Sequence, residues 1–239
     1  MRTVISLGGS ILFGDRSAET VREHARAISR LVDDGHEVAV VVGGGSIARE
    51  FIDIGRDLGA DEVRLDEIGI AITRVNARLM IEALGDLAHP WPATTYAEAG
   101  QALRQGDVPV LGGIAPAQTT DAVSAATAEY VHADLLLYAT SVDGVYSGDP
   151  IEDKTATRFD QLTVDELLEV IASIHMSAGS KSPVDLLAAK IIQRADLSTI
   201  VMDGSDPKAI ERAVRTGDHE GTDVHVEGAK RPPAWDTDG

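Results

Sequence analysis

The chain has 239 residues, 44% of them hydrophobic, and a formal net charge of −18. That length and apolar share suit one domain with a substantial core, and the acidity excludes nucleic acid and anionic membrane surfaces as partners. Cysteine is absent, which excludes disulfides and thiol catalysis.

Residues 3–7 (TVISL) read as a short strand that breaks at Gly8-Gly9-Ser10. From Thr20 to Asp34, Val21, Ala25, Ile28, Leu31 and Val32 keep a helical period, closed by Asp34-Gly35. Residues 37–42 (EVAVVV) form a buried-type strand stopped by Gly43-Gly44-Gly45, and Ser46 is placed to cap a helix ending near Leu58. Ile68, Ile72, Val75 and Leu79 mark a long amphipathic helix. Beyond His89-Pro90-Trp91-Pro92, a helix over 96–105 precedes the strand 108–111 (VPVL), which ends in Gly112-Gly113. Thr119-Thr120-Asp121 leads into an Ala-rich helix reaching Val131, and 134–139 (DLLLYA) is a further buried strand.

Helices are predicted over 163–174 and 183–195, the second opened by Ser182-Pro183 with proline at its first position. Residues 198–202 (STIVM) form a strand, Asp206-Pro207 starts a short helix, and 221–226 closes the pattern with a last strand. The tail over 227–239 has two prolines and no period, so it is expected to be disordered and the folded domain to span 1–226. Strands that alternate with helices and read as continuous Val, Leu and Ile runs predict a three-layer α/β/α sandwich with a mainly parallel sheet. No window approaches a membrane-spanning run and Met1 opens straight into a strand, so a cytoplasmic protein is expected. The first lysine is Lys154. So acidic a balance suits a high-salt cytoplasm, where at about 1 M the Debye length is only about 3 Å and self-repulsion is screened.

Three strands end in glycine pairs or triplets: Gly8-Gly9-Ser10, Gly43-Gly44-Gly45-Ser46 and Gly112-Gly113. In parallel α/β sheets ligands bind beyond the carboxyl ends of strands, and glycine there lets backbone N–H groups approach a phosphate. A helix starting just beyond adds its positive end. A lone glycine loop is more often only a tight turn; three at strand ends suggest phosphates converging on one place. Gly43 to Ala48 also fits the dinucleotide fingerprint, with Asp66 about twenty residues on. Against that rival, the fingerprint follows the second strand and is one loop of three. No Gly-Lys pair exists, so a Walker ATPase is excluded, and the seven histidines show no zinc-like clustering.

Gly8-Gly9-Ser10, the triple glycine with Arg49, GGIAPAQTTD (112–121) and TSVDGVYSGDP (140–150) stand in an order that resembles the amino-acid kinase superfamily. LDEIGIAITRVNA (65–77) and the TTD loop resemble the uridylate kinases in particular, and the closing GDHEGTDV (217–224) resembles their archaeal branch. The resemblance covers about residues 1–226. It implies a bilobal α/β/α sandwich with the phosphoryl acceptor, UMP, on the N-terminal half and ATP on the C-terminal half. It also implies Mg²⁺ with ATP and a homohexamer. By the same resemblance Gly9, Ser10, Gly45 and Arg49 meet ATP phosphates, and Thr140, Ser141, Tyr146 and Asp149 form the adenosine side. Gly44 and Asp66 meet UMP, and Ile114, Ala115, Pro116, Ala117, Gln118, Thr119 and Thr120 wrap it.

Each assignment has a plainer competitor. Arg49 also suits a surface helix, Asp66 the cap of a helix starting near Ile68, Thr120-Asp121 an N-terminal cap, and Tyr146 a core aromatic. Many members of the family carry lysine two residues before the first glycine pair; Ser6 stands there. The charge role is then open to Arg49 and magnesium, with Lys181 in SAGSKS (177–182) a distant third. A sister kinase acting on a carboxylate or carbamate, and a non-catalytic nucleotide or oxyanion binder, are the alternative functions. Phosphoryl transfer asks for alignment and charge neutralisation, which backbone amides, an arginine and Mg²⁺ supply.

Overall fold

A computed structural model describes residues 1–148, 153–175, 184–226, 232 and 235. Seven strands make one sheet: β1 (Arg2–Leu7), β2 (Glu37–Val42), β3 (Val110–Leu111), β4 (Leu135–Thr140), β5 (Gln161–Thr163), β6 (Thr199–Asp203) and β7 (Thr222–His225). Their order is β3-β2-β1-β4-β6-β7-β5, and every pairing is parallel except β6 with β7. The helices are α1 (Gly9–Phe13), α2 (Ala18–Asp33), α3 (Gly45–Asp57), α4 (Glu62–Leu84), α5 (Tyr96–Gln105), α6 (Thr120–Val131), α7 (Val164–His175), α8 (Leu186–Ala195) and α9 (Pro207–Thr216).

Strand periodicity sorts the core into two slabs, since successive residues face opposite sides of a sheet. Val4, Val41, Leu136 and Tyr138 face Leu103 of α5, Val123 and Ala128 of α6, Leu167 of α7 and Ile192 of α8. Ile5, Val40, Val42 and Leu137 face Leu12 of α1, Ile28 and Leu31 of α2, Met80 of α4 and Val214 of α9. The central strands are buried on both faces, which is why they read as unbroken apolar runs. Each fully buried Val, Leu or Ile contributes roughly 1.5–3 kcal/mol over an exposed one.

The expected sandwich is therefore the one observed, with differences at element starts. α1 follows β1 directly, so the first glycine pair opens a short helix and not a bare loop. Ser46 does not cap α3; Gly44 holds that position without a side-chain bond. α4 starts at Glu62, where Asp61 accepts from the Arg64 N–H at 3.0 Å. Asp66 thus lies within the helix, and the cap reading fails. α8 starts at Leu186 with Asp185 as its cap, later than the proline suggested; Ser182 and Pro183 lie outside the described residues. β5 has no counterpart in the sequence reading because its three residues carry too little pattern. Of the tail, Trp235 donates its indole N–H to the Val214 carbonyl at 3.0 Å and lies against Gly217.

Candidate active site

The three glycine segments meet at one end of the sheet, beyond the carboxyl ends of β1, β2 and β3. Gly8 N–H donates to the Ala139 carbonyl at 2.9 Å and Gly43 N–H to the Leu7 carbonyl at 2.9 Å, so the ladder continues into both segments. Gly9 then lies directly on the triple glycine: a methyl group there would overlap the backbone of Gly43, Gly44 and Gly45. Gly45 has φ +67°, and a Cβ on it would stand 2.7 Å from the Gly9 carbonyl carbon. Only glycine fits so close a backbone crossing in that conformation. α3 starts at Gly45, and Arg49 occupies its first turns, exposed and without a hydrogen bond or ion pair among the described residues.

α4 fastens this junction to the third segment. Asn76, buried, donates from Nδ2 to the carbonyls of Gly43 (2.9 Å) and Gly44 (3.3 Å). Thr73 accepts from the Gly113 N–H at 2.7 Å and donates to the Ile70 carbonyl at 2.7 Å. Arg74 donates to the carbonyls of Gly113 (3.2 Å) and Ile114 (3.4 Å). Two turns earlier, Asp66 accepts from the Ala117 N–H at 2.7 Å. Ala117 has φ +63°, an uncommon conformation for a residue with a Cβ, held in place by that bond. The segment 114–120 is thus a shaped loop, with Gln118 accepting from the Tyr96 hydroxyl at 3.3 Å.

Thr119 closes the loop as the cap of α6, accepting from the Ala122 N–H at 3.1 Å, and its hydroxyl also donates to Asp185. Asp121 follows in the first turn of α6. Burial, and then the negative charge of Asp185, push its carboxyl up to about 7. Among the described residues no cation pairs with it. Ser6 is buried in register with Val41 and Tyr138, and the Tyr138 hydroxyl donates to the Asp121 carbonyl at 2.8 Å.

On the other flank Thr140 ends β4, beside Gly8, and its hydroxyl is exchanged with the Val142 backbone at 3.0 and 3.1 Å. Ser141 is exposed. Tyr146 is half-buried and donates its hydroxyl to Asp143 at 2.8 Å, near the Arg158 guanidinium that pairs with the same carboxylate at 3.4 Å. It is not a core aromatic. Asp149 and Lys181 lie outside the described residues.

Asp66 also decides against the dinucleotide rival. A fingerprint loop should be followed by a strand whose end presents the acidic residue. Here α3 leads straight into α4, and Asp66 sits on that helix facing the Gly112–Gln118 loop. The amino acid kinase family model matches residues 1–203. The uridylate kinase of Haloarcula marismortui is 58% identical over 224 residues, covering 94% of this chain and 98% of the relative. The chain belongs to the amino acid kinase family, in its uridylate kinase branch. The Halobacterium salinarum uridylate kinase is 57% identical over 228 residues, 95% of each chain. Among solved structures, the uridylate kinase of Archaeoglobus fulgidus superposes with a TM-score of 0.83 at 42% identity, over 94% of this chain and all of that one. Family membership accounts for the glycine order. The halophilic relatives agree with the high-salt reading of the composition.

Thr73, Arg74 and Asn76 were not singled out by the sequence reading. Their signal was present: polar residues among apolar ones, inside the segment already marked as family-like. All three bond backbone groups, a use that residue type alone does not reveal.

Proposed function

We propose that the protein transfers the γ-phosphoryl group of ATP to UMP, giving ADP and UDP. The observation that carries this reading is the crossing of Gly9 with Gly43–Gly45, joined through Thr73 and Asn76 to the 112–120 loop. It gathers amide-rich turns from two strand ends and a helix N-terminus at one point. In this reading Gly9, Ser10, Gly45 and Arg49 hold ATP phosphates, and Thr140, Ser141 and Tyr146, with Asp149, hold the adenosine. Gly44, Asp66 and residues Ile114 to Thr120 hold UMP on the N-terminal half. Asp66 then has two tasks, bracing Ala117 and meeting the ribose.

Phosphoryl transfer needs in-line alignment and neutralised charge more than covalent help. Here fixed amides supply the alignment and Arg49 the mobile charge. Mg²⁺ carried with ATP would add charge neutralisation. Among the described residues no group of three or more acidic, histidine or cysteine side chains could hold a metal ion.

Self-association belongs to the same proposal. Phe51, Ile54 and Leu58 along α3, with Val75 and Leu79 on α4, leave an apolar face exposed, the kind of surface that marks an interface. The family expectation is a homohexamer. A cytoplasmic location fits the acidic surface, and no described helix is long and apolar enough to cross a membrane.

The test of the activity is ADP release with ATP and Mg²⁺ over UMP, CMP, dUMP, glutamate derivatives and carbamate, in low and molar KCl. Turnover that is greatest with UMP supports the proposal. Preference for a carboxylate or carbamate, or tight nucleotide binding without turnover, contradicts it.

A further inference from the structure

We infer that Thr73 and Asn76, one turn of α4, are positioning residues that set the spacing between the phosphate junction and the acceptor loop. The inference deepens the uridylate kinase reading and rests on it. Both side chains are buried, yet neither serves the helix's packing alone. Asn76 spends its amide N–H groups on two successive carbonyls, Gly43 and Gly44. Fixing a carbonyl fixes the whole peptide plane, since the unit is rigid. The N–H groups of Gly44 and Gly45 belong to those planes, so Asn76 determines where they are aimed.

Thr73 does the same from the other side. Its hydroxyl receives the Gly113 N–H, and its methyl lies 3.5 Å from where a Cβ on Gly44 would be. Gly112 crosses so close that a Cβ there would stand 2.6 Å from the Thr73 hydroxyl oxygen. One side chain therefore touches both segments that carry the acceptor, and a shift at either would be passed to the other. Neither residue is placed to touch the transferred group. Their effect is on the alignment that transfer depends on, where small misplacement is costly.

The experiment compares Thr73→Val, Thr73→Ser and Asn76→Asp with the wild type, using steady-state kinetics in ATP and UMP and amide hydrogen exchange without ligand. Thr73→Val keeps the shape and removes the acceptor for Gly113 N–H. It should raise the UMP KM about tenfold with the ATP KM little changed, the effect of one lost buried hydrogen bond. Thr73→Ser, which keeps the hydroxyl, should restore most of that loss. Asn76→Asp keeps the size but turns donors into a carboxylate facing two carbonyls, and should lower kcat about tenfold or more. Exchange at Gly113 should quicken in Thr73→Val but not in Thr73→Ser. Exchange at Gly43, whose N–H donates to the Leu7 carbonyl at 2.9 Å and whose carbonyl Asn76 holds, should quicken in Asn76→Asp.

Kinetics within twofold of wild type in Thr73→Val and Asn76→Asp would overturn the inference. So would losses equal in both Michaelis constants and unrescued by serine, the mark of a merely structural role. If Thr73→Val does not fold, Asn76→Asp and the serine variant carry the same decision. A wild-type protein inert toward UMP would sink the kinase reading instead, and unchanged exchange in both variants would then overturn the positioning role as well.

Discussion

Arg49 and Asp121 are two charge-bearing side chains of the candidate site in opposite surroundings. Arg49 is exposed, with no partner among the described residues, so it is free to meet an incoming phosphate. Arg49→Ala should cost at least about tenfold in kcat/KM, the scale of a lost charged hydrogen bond of about 1.5–3 kcal/mol; steady-state kinetics with both nucleotides checks it. Asp121 is held near neutrality by burial and by Asp185. Its folded-state pKa is raised above the unfolded value, so its contribution to stability is largest below about pH 4 and is lost as pH rises toward about 7. Asp121→Asn should flatten that slope and raise the melting temperature at neutral pH, which thermal denaturation across the range would show. A pH dependence unchanged in the variant would place the titration elsewhere. Asp121 also shows what residue types conceal. In the sequence it is an acidic residue in a helix's first turn, where a negative charge is ordinarily favoured. Only the fold reveals that its carboxyl is buried close to Asp185.

At the scale of elements, most strand ends and helix spans were legible because each carries a period and a glycine or proline stop. The span 96–105 of α5 and the strand 37–42 agree with the structure residue for residue. α4 was legible as a helix but its face was not. The apolar set Ile68, Ile72, Val75 and Leu79 suggested the core side, whereas the buried residues are Leu65, Thr73, Asn76, Ala77, Met80, Ile81 and Leu84. Val75 and Leu79 are exposed. A helix that is apolar on two sides has no single moment to read, and the side that includes polar Thr73 and Asn76 is the one that holds the site. The first glycine pair was legible as the break that ends β1, while its contact with the triple glycine is a crossing of distant chain segments. That crossing makes a demand: Gly9→Ala should shift the Gly43–Gly45 backbone and cost both stability and activity. We expect a lower melting temperature and a kcat/KM reduced by at least about tenfold, as for other losses of alignment. An active, fully stable Gly9→Ala protein would mean that the two segments separate freely.

Over the whole molecule the fold gathers the three glycine segments at one end of a mainly parallel sheet. A net charge of −18 opposes compactness, and salt relieves that opposition. The melting temperature should therefore climb as KCl is raised from about 0.1 M to molar levels, where the Debye length falls from about 10 Å to about 3 Å. A flat or falling response would contradict the reading of the surface. The α/β/α class was legible from alternation alone, and the branch of the family from its loops. A bilobal division and an assembly are expectations of the resemblance alone, and the strands form one continuous sheet. The central claim is that donor and acceptor phosphates share one channel between Gly9 and the 112–120 loop. Its most direct measurement is competition by a bisubstrate analogue, uridine and adenosine joined through a polyphosphate, in titration calorimetry against ATP and UMP separately. One analogue should bind per chain and displace both nucleotides; an analogue that displaces only one of them, or binds beside both, would contradict the shared channel.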